Sequence, residues 1–158
     1  SAQSIKDAIT AVQAALAAPP QARLETSPPL LFASAAGGDH AYLEAVGLIN
    51  EHRYPEAIAS LERAETAFGA HPDILTYLGF ANRKLHRYDL AEHYYRAALA
   101  AEPKHKQATE YYGELMVERG NIAGAKALLA KLDGICTFGC FEAEELRQWI
   151  AAKGEPAS

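Results

Sequence analysis

The two cysteines of the chain are the residues whose type and spacing most directly suggest chemistry. Cys136 and Cys140 lie in the stretch CTFGC, with Gly134 shortly before them and Gly139 between them. On a helix these thiols would lie one turn apart and could share a soft metal ion such as copper or zinc. The two glycines favour a tight turn instead, in which the thiols could close a disulfide. The disulfide is the favoured interpretation, and a metal site is the alternative.

Catalytic chemistry is not indicated by the remaining residues. A redox centre would require the spacing Cys-x-x-Cys next to a strand and a helix. Catalysis of other kinds would require a nucleophile, a base and an orienting group that converge, and the spacings supply no such set. Six histidines lie at predicted helix ends and turns: His40, His52, His71, His86, His93 and His105. His86 and His93 could share a helix face, but no carboxylate or thiolate joins them at ligand spacing. We predict a protein that is not an enzyme and that has no cofactor or bound metal.

Composition limits the size of the fold and the class of partner. A chain of 158 residues with 49% hydrophobic residues can form one domain and a tail. The formal net charge of -5 disfavours a nucleic-acid partner, which would require a basic face. No apolar run reaches the roughly 18 residues that a membrane helix needs, so no membrane span is predicted.

The sequence repeats itself at an interval of 34 residues. The segments HRYPEAIASLERA, HRYDLAEHYYRAALAAEP and GNIAGAKALLAKL begin at His52, His86 and Gly120. Within each segment, apolar residues recur three and four positions apart, which places them on one face of a helix. A second helical pattern precedes each segment. The repeating unit is therefore predicted to be a pair of helices.

A helix pair of this length and pattern resembles the tetratricopeptide repeat family. The central unit carries the resemblance best, at Leu75, Leu78, Gly79, Ala91, Tyr95, Ala98 and Pro103. Gly79 and Ala91 are expected to be small because the two helices approach closely there, and Tyr95 is expected to fill the space beside them. The resemblance implies an all-α fold, a right-handed α-α superhelix that ends in a capping helix.

Four segments are predicted along the chain. Residues 1–18 form an amphipathic helix, and residues 19–38 form a linker rich in proline, glycine and alanine. Residues 39–133 form three tetratricopeptide-like helix pairs. Residues 134–153 form the Cys-x3-Cys turn and a capping helix, with an apolar stripe of Leu146, Trp149 and Ile150.

The family resemblance also implies a concave groove, lined by the first helix of each pair, that binds a protein or peptide partner. Aromatic side chains in such a groove give large and rigid contact areas. The predicted partner-binding residues are Tyr42, Val46, Tyr77, Phe80, Arg83, Lys84, Tyr111 and Glu114. Arg83 and Lys84 are expected to supply positive charge to the groove, and Glu110, Glu114 and Glu118 negative charge.

One subtype of the family is not expected. Chaperone-binding tetratricopeptide domains hold a partner's terminal carboxylate with lysines, asparagines and an arginine. Here tyrosines, Thr76 and Glu114 stand at the corresponding positions.

An exported bacterial protein is predicted, located in the periplasm, with the cytoplasm as the alternative. Disulfides persist in oxidising compartments, and the start SAQS, without a methionine, is compatible with removal of a signal peptide. The turn Cys136–Cys140 and the acidic helix after it are similar to those of small periplasmic tetratricopeptide proteins of alphaproteobacteria. An adaptor or scaffold is expected. The alternatives are a metal-handling protein that uses Cys136 and Cys140, and a scaffold that forms homo-oligomers through its N-terminal helix.

Overall fold

The computed structural model describes residues 30–153, with side chains from residue 37 onward, and within this range it contains seven α-helices and no strand. The helices are α1 Leu30–Asn50, α2 Tyr54–Phe68, α3 Pro72–Lys84, α4 Tyr88–Ala101, α5 Lys106–Glu118, α6 Ile122–Ile135 and α7 Phe141–Ala152. This order agrees with the predicted helix pairs and capping helix. The predicted helix over residues 1–18 lies outside the described residues.

The chain divides into two compact units, Ser1–Gly69 and Ala70–Ser158. In the first unit, α1 packs against α2. In the second unit, α3 packs against α4, α5 packs against α6, and α7 covers both α5 and α6. The second unit holds most of the residues on which the functional argument depends.

The helix α1 begins at Leu30, inside the predicted linker of residues 19–38. Leucine and alanine dominate the start of this helix, and both have high helix propensity. Gly38 does not loosen the chain, because it lies where α1 meets α2, and a Cβ atom there would collide with Ala67 and with the Phe68 ring. The linker prediction is therefore wrong for residues 30–38, where glycine permits close packing of two helices.

The predicted packing around Gly79 is confirmed. Tyr95 is completely buried, and a Cβ atom on Gly79 would lie 2.6 Å from the Tyr95 Cε1 atom. Gly113 holds the same place in α5, where a Cβ atom would lie 2.5 Å from the Leu146 Cδ2 atom. Leu146 of the capping helix thus contacts α5 as Tyr95 contacts α3.

The repeated His-Arg-Tyr turns have a common geometry. His52 and His86 both adopt left-handed backbone conformations, with φ of 59° and 58°. A hydrogen bond joins His52 Nδ1 to the Tyr54 hydroxyl at 2.8 Å, and another joins His86 Nδ1 to the Tyr88 hydroxyl at 2.7 Å. These histidines have a structural role in their turns.

Replacing Gly79 with alanine is expected to lower the free energy of unfolding of the second unit by about 1–3 kcal/mol, because the buried Tyr95 ring must move to make room. Gly134→Ala is the matched control. Gly134 lies in α6, and a Cβ atom added to it would meet no heavy atom within 4 Å, so alanine there is expected to stabilise the helix by up to about 1 kcal/mol. Urea unfolding followed by the fluorescence of Trp149, the single tryptophan, measures both changes. Equal effects of the two substitutions would contradict the packing account.

Candidate functional site

Three of the predicted groove residues, Phe80, Tyr111 and Glu114, lie around the guanidinium of Arg83. This side chain lies in the last turn of α3 and is only 1% exposed. Its Nη2 atom is 2.5 Å from Glu114 Oε2, and its Nη1 atom is 3.3 Å from Glu118 Oε1. Because Glu114 and Glu118 lie four residues apart on α5, both carboxylates can face the same guanidinium.

Three aromatic rings surround this ion-paired group. The Arg83 Cζ atom lies 5.4 Å from the ring centroid of Phe80, 5.8 Å from that of Tyr111 and 5.4 Å from that of Trp149. These distances are typical of cation–π contacts. The rings come from α3, α5 and α7, so the guanidinium connects all three helices. We call Arg83, its two carboxylates and these three rings the arginine cluster.

The arginine cluster corrects the predicted distribution of charge. Arg83 and Glu114 were predicted to face a partner, but they pair with each other and are buried. The planar guanidinium can stack on rings while its nitrogens reach carboxylates, which favours such an enclosed position. Lys84 is exposed, with its Nζ atom 5.4 Å from the centroid of the Phe80 ring. Of these two cations, Lys84 is therefore the one available to a partner.

Glu110 is a buried acid beside the arginine cluster, and it is 5% exposed. Burial, followed by the negative charges of Glu114, Glu142 and Glu145, raises the pKa of Glu110 to about 8. Burial also raises the pKa of Glu114, although Arg83 opposes this shift. Glu110 is therefore mostly protonated at neutral pH and can donate a hydrogen bond to Glu114.

The aromatic residues predicted as anchors lie at two places. In the second unit, Phe80 and Tyr111 are half-buried, and their ring centroids are 4.9 Å apart. Tyr77 is also half-buried, and its proximity contributes to the pKa of Tyr111, which burial raises to about 12. We call these three residues of the second unit, Tyr77, Phe80 and Tyr111, the aromatic surface. In the first unit, the predicted residues Tyr42 and Val46 are half-buried one turn apart on α1.

The contact of Trp149 with Arg83 is not predictable from the sequence, which indicates only that Trp149 belongs to the apolar stripe of the capping helix. The apolar spacing on α7 identified a buried face, but the partner of the indole ring depends on how α7 lies against α3 and α5. No sequence pattern gave that orientation.

Two histidines that begin helices were also missed. His71 Nδ1 accepts a hydrogen bond from the backbone N–H of Asp73 at 3.1 Å, and His105 Nδ1 accepts one from Ala108 at 3.1 Å. The two histidines are 34 residues apart, the repeat interval. That spacing could have identified them as equivalent N-caps.

Asp73, Glu102 and His105 bring three potential metal-ligand atoms within 4.8 Å of one another. Their hydrogen bonds argue against a metal site. Because His105 Nδ1 accepts from Ala108, the proton of a neutral ring is on Nε2, which donates to Asp73 Oδ1 at 2.6 Å. The Nε2 lone pair that a metal would require is therefore absent, and the group links the start of α5 to α3.

The cysteines form the favoured disulfide. Cys136 follows the end of α6, Cys140 precedes the start of α7, and their sulfur atoms are bonded, with the Cα atoms 5.7 Å apart. A disulfide has no thiolate to offer copper or zinc. The bond joins α6 to the capping helix, as predicted.

None of the described helices has both the length and the apolar character needed to cross a membrane.

Comparison with known families gives the class of the fold. Residues 82–134 match the tetratricopeptide repeat family. The chain is similar to the second tetratricopeptide domain of human RPAP3, solved in complex with the HSP70 peptide SGPTIEEVD, with 20% identity, coverage of 76% of this chain and 97% of that one, and a TM-score of 0.62. It is also similar to the Yersinia enterocolitica type III secretion chaperone SycD, solved with a peptide of the translocator YopD, with 18% identity, coverage of 73% and 88%, and a TM-score of 0.62.

The match over residues 82–134 and the structural likeness confirm the predicted all-α tetratricopeptide-repeat solenoid fold. A curated relative is the probable biofilm formation methyltransferase WspC of Pseudomonas aeruginosa, 32% identical over 85 residues. The match covers 54% of this chain and 20% of that protein, so the chain spans about a fifth of the relative's length.

Proposed function

We propose that the chain is a non-catalytic interaction module that binds a peptide or a helix of a partner protein at the aromatic surface of α3 and α5. The observation that carries the proposal is the position of the three rings of this surface. They are half-buried, so each is held by its neighbours and still has area to offer a partner. The peptide complexes of human RPAP3 and Yersinia SycD support the proposal, because those proteins share the fold.

The arginine cluster supports this proposal by holding the aromatic surface in place. Phe80 and Tyr111 contact the Arg83 guanidinium, which is fixed in turn by Glu114 and Glu118. A binding surface whose rings are already ordered loses little conformational entropy when a partner binds.

Replacing Tyr77 and Phe80 together with alanine is expected to abolish binding of the peptides that dock on the aromatic surface, while the helical circular dichroism is retained. The wild-type chain would be used to select peptides from a random phage-displayed library, and their affinities would be measured for both proteins. Leu90→Ala is the control, because Leu90 is an exposed apolar residue of α4 outside the aromatic surface. Failure to find any selected peptide that binds the double variant more weakly than it binds the wild type would refute the proposed surface.

The acidic HSP70 peptide SGPTIEEVD is expected not to bind. The Arg83 cation is already paired with two carboxylates, and Glu142 and Glu145 add further negative charge nearby, so an acidic peptide would be repelled. Fluorescence anisotropy of the labelled peptide is expected to show no saturable increase. Saturable binding that salt weakens would show that this surface can take a carboxylate partner.

We further propose that the module acts as an adaptor or scaffold in the bacterial periplasm. The disulfide supports this location, because such bonds are rare in reducing compartments. Intact mass measured on protein taken from its source cells, after thiols are blocked at lysis, is expected to show both cysteines unmodified by the blocking reagent. Two blocked thiols would argue for the cytoplasm.

A further inference from the structure

The turn between α6 and α7 exposes two phenylalanines. Phe138 is fully exposed and Phe141 is 73% exposed, more than any other large apolar side chain in the part of the chain whose side chains are described. The two rings flank Cys140. A phenylalanine buries roughly 150–250 Å² when it is covered, so the two rings together could bury roughly 300–500 Å² against a partner. This area is comparable with the largest apolar patch of a typical monomer, which is often functional.

The backbone that carries these rings is held in a fixed conformation. The Cys136–Cys140 disulfide closes the turn, and the Gly139 N–H donates a hydrogen bond to the Cys136 carbonyl at 3.0 Å. Gly139 has a φ of +85°, which suits glycine. Cys136 is buried, and Cys140 packs on a core that contains Leu132, Ala143 and Leu146. The rings are therefore presented on a rigid support.

The start of α7 adds negative charge that no described cation pairs with. Glu142 follows Phe141, and Glu145 lies one turn further along the helix. Neither forms an ion pair within residues 37–153, whereas Glu144 and Asp133 both pair with Arg147. The side chains of Glu142 and Glu145 also lie close enough to Glu110 for their negative charges to raise its pKa.

We propose that the disulfide-closed turn and the start of α7 form a second docking surface, for a partner segment whose apolar side chains are flanked by lysine or arginine. Apolar side chains of the partner would cover Phe138 and Phe141, and its cations would face Glu142 and Glu145. Complementary charge of this kind orients a partner and excludes acidic competitors. This surface shares no residue with the aromatic surface of the proposed function, although Glu142 and Glu145 lie near Glu110, the residue before Tyr111.

The same charges argue against two other occupants. An anionic lipid surface would be repelled by the uncompensated carboxylates. A second copy of the chain carries a net charge of -5 and would also be repelled. Both are treated as alternative outcomes of the experiment.

The experiment uses the same random phage-displayed peptide library, with the intact wild-type chain as bait. The affinities of the selected peptides are then measured for the wild type and for three double variants. These are Phe138→Ser with Phe141→Ser, Glu142→Gln with Glu145→Gln, and Tyr77→Ala with Phe80→Ala. Because both phenylalanines are exposed, the first pair of changes is expected to leave folding intact, as circular dichroism can check.

We expect a class of peptides in which basic residues stand beside large apolar ones. Their affinity should fall about tenfold or more without the phenylalanines and severalfold without the two carboxylates, and should be unchanged without Tyr77 and Phe80. Peptides lost only with Tyr77 and Phe80 would overturn this inference while supporting the proposed function. Absence of any class that depends on Phe138 and Phe141 would also overturn it.

Two direct measurements test the other occupants. Flotation with phosphatidylcholine vesicles that depends on Phe138 and Phe141 would assign the surface to lipid and overturn the proposal. Sedimentation equilibrium that shows a dimer dependent on the same two residues would assign it to a second copy and overturn it as well.

Discussion

Replacing Arg83 with methionine is expected to lower the free energy of unfolding of the second unit by about 3–5 kcal/mol at neutral pH. Methionine can fill much of the space but cannot neutralise Glu114 and Glu118, which would be left partly or fully buried beside it. The cost of removing one partner of a buried ion pair comes mainly from the charge that remains. Urea unfolding followed by the fluorescence of Trp149, which contacts Arg83, measures the change.

Two further variants show whether this loss arises from the buried charges. Lys84→Met removes the neighbouring exposed cation and is expected to change the unfolding free energy by at most about 0.5 kcal/mol. Adding Glu114→Gln to Arg83→Met is expected to recover part of the loss, because one unpaired carboxylate is removed. A loss below about 1 kcal/mol for Arg83→Met would mean that the arginine cluster does not hold the three helices together.

Replacing Glu110 with glutamine is expected to stabilise the second unit at alkaline pH and to have little effect near pH 4.5. The pKa of Glu110 is raised from 4.5 to about 8 in the folded chain. The folded state therefore holds a proton that the unfolded state has lost, and stability falls as the pH rises from about 4.5 to about 8. Above that range, the wild-type chain should be less stable than the glutamine variant by about 2–5 kcal/mol.

The unfolding free energies of the wild type and of Glu110→Gln are measured from pH 4.5 to pH 9 and subtracted at each pH. The difference isolates the titration of Glu110, because the other titrating groups are common to both proteins. Glu102→Gln removes one exposed carboxylate from the same unit and serves as the control for net charge. A difference between wild type and Glu110→Gln that stays constant across this range would show that Glu110 does not take up a proton on folding.

Arg83→Met and Glu110→Gln are expected to bear on peptide binding as well as on the stability of the second unit. Arg83 holds Phe80 and Tyr111, and Glu110 lies one residue before Tyr111, so both affect the surface that is proposed to bind peptides. We expect Glu110→Gln to retain peptide binding, because it preserves the neutral side chain present at neutral pH. Arg83→Met should weaken binding, because two rings lose a common support.

The features that the sequence predicted depend on local spacing. The 34-residue interval predicted the helix pairs, because apolar residues that recur three and four positions apart mark the buried face of each helix. Gly79 and Tyr95 were predicted to meet, since a small residue and a large buried ring are complementary within one helix pair. Likewise, Gly139 favoured a turn and hence a disulfide, whereas the prediction that Gly134 belongs to that turn is wrong, because Gly134 lies in α6.

The features that the sequence did not predict depend on which surfaces of distant helices meet. Arg83 resembles any cation near the end of a helix, where exposure is usual, and only the arrangement of α3, α5 and α7 encloses it. Gly38 was interpreted as part of a linker because residues 19–38 are rich in proline, glycine and alanine, but glycine permits close packing of helices as well as mobility. The contact with α2 that distinguishes these roles involves Ala67 and Phe68, about 30 residues further along the chain.

The aromatic surface of α3 and α5 is the proposed binding site for a partner segment. The most direct test is a two-dimensional NMR titration of the labelled wild-type chain with a peptide selected from the phage-displayed library. We expect saturable shift changes that centre on Tyr77, Phe80 and Tyr111 and include the indole N–H of Trp149. Shift changes confined to α4 and α6, with the resonances of the aromatic surface unmoved, would contradict it.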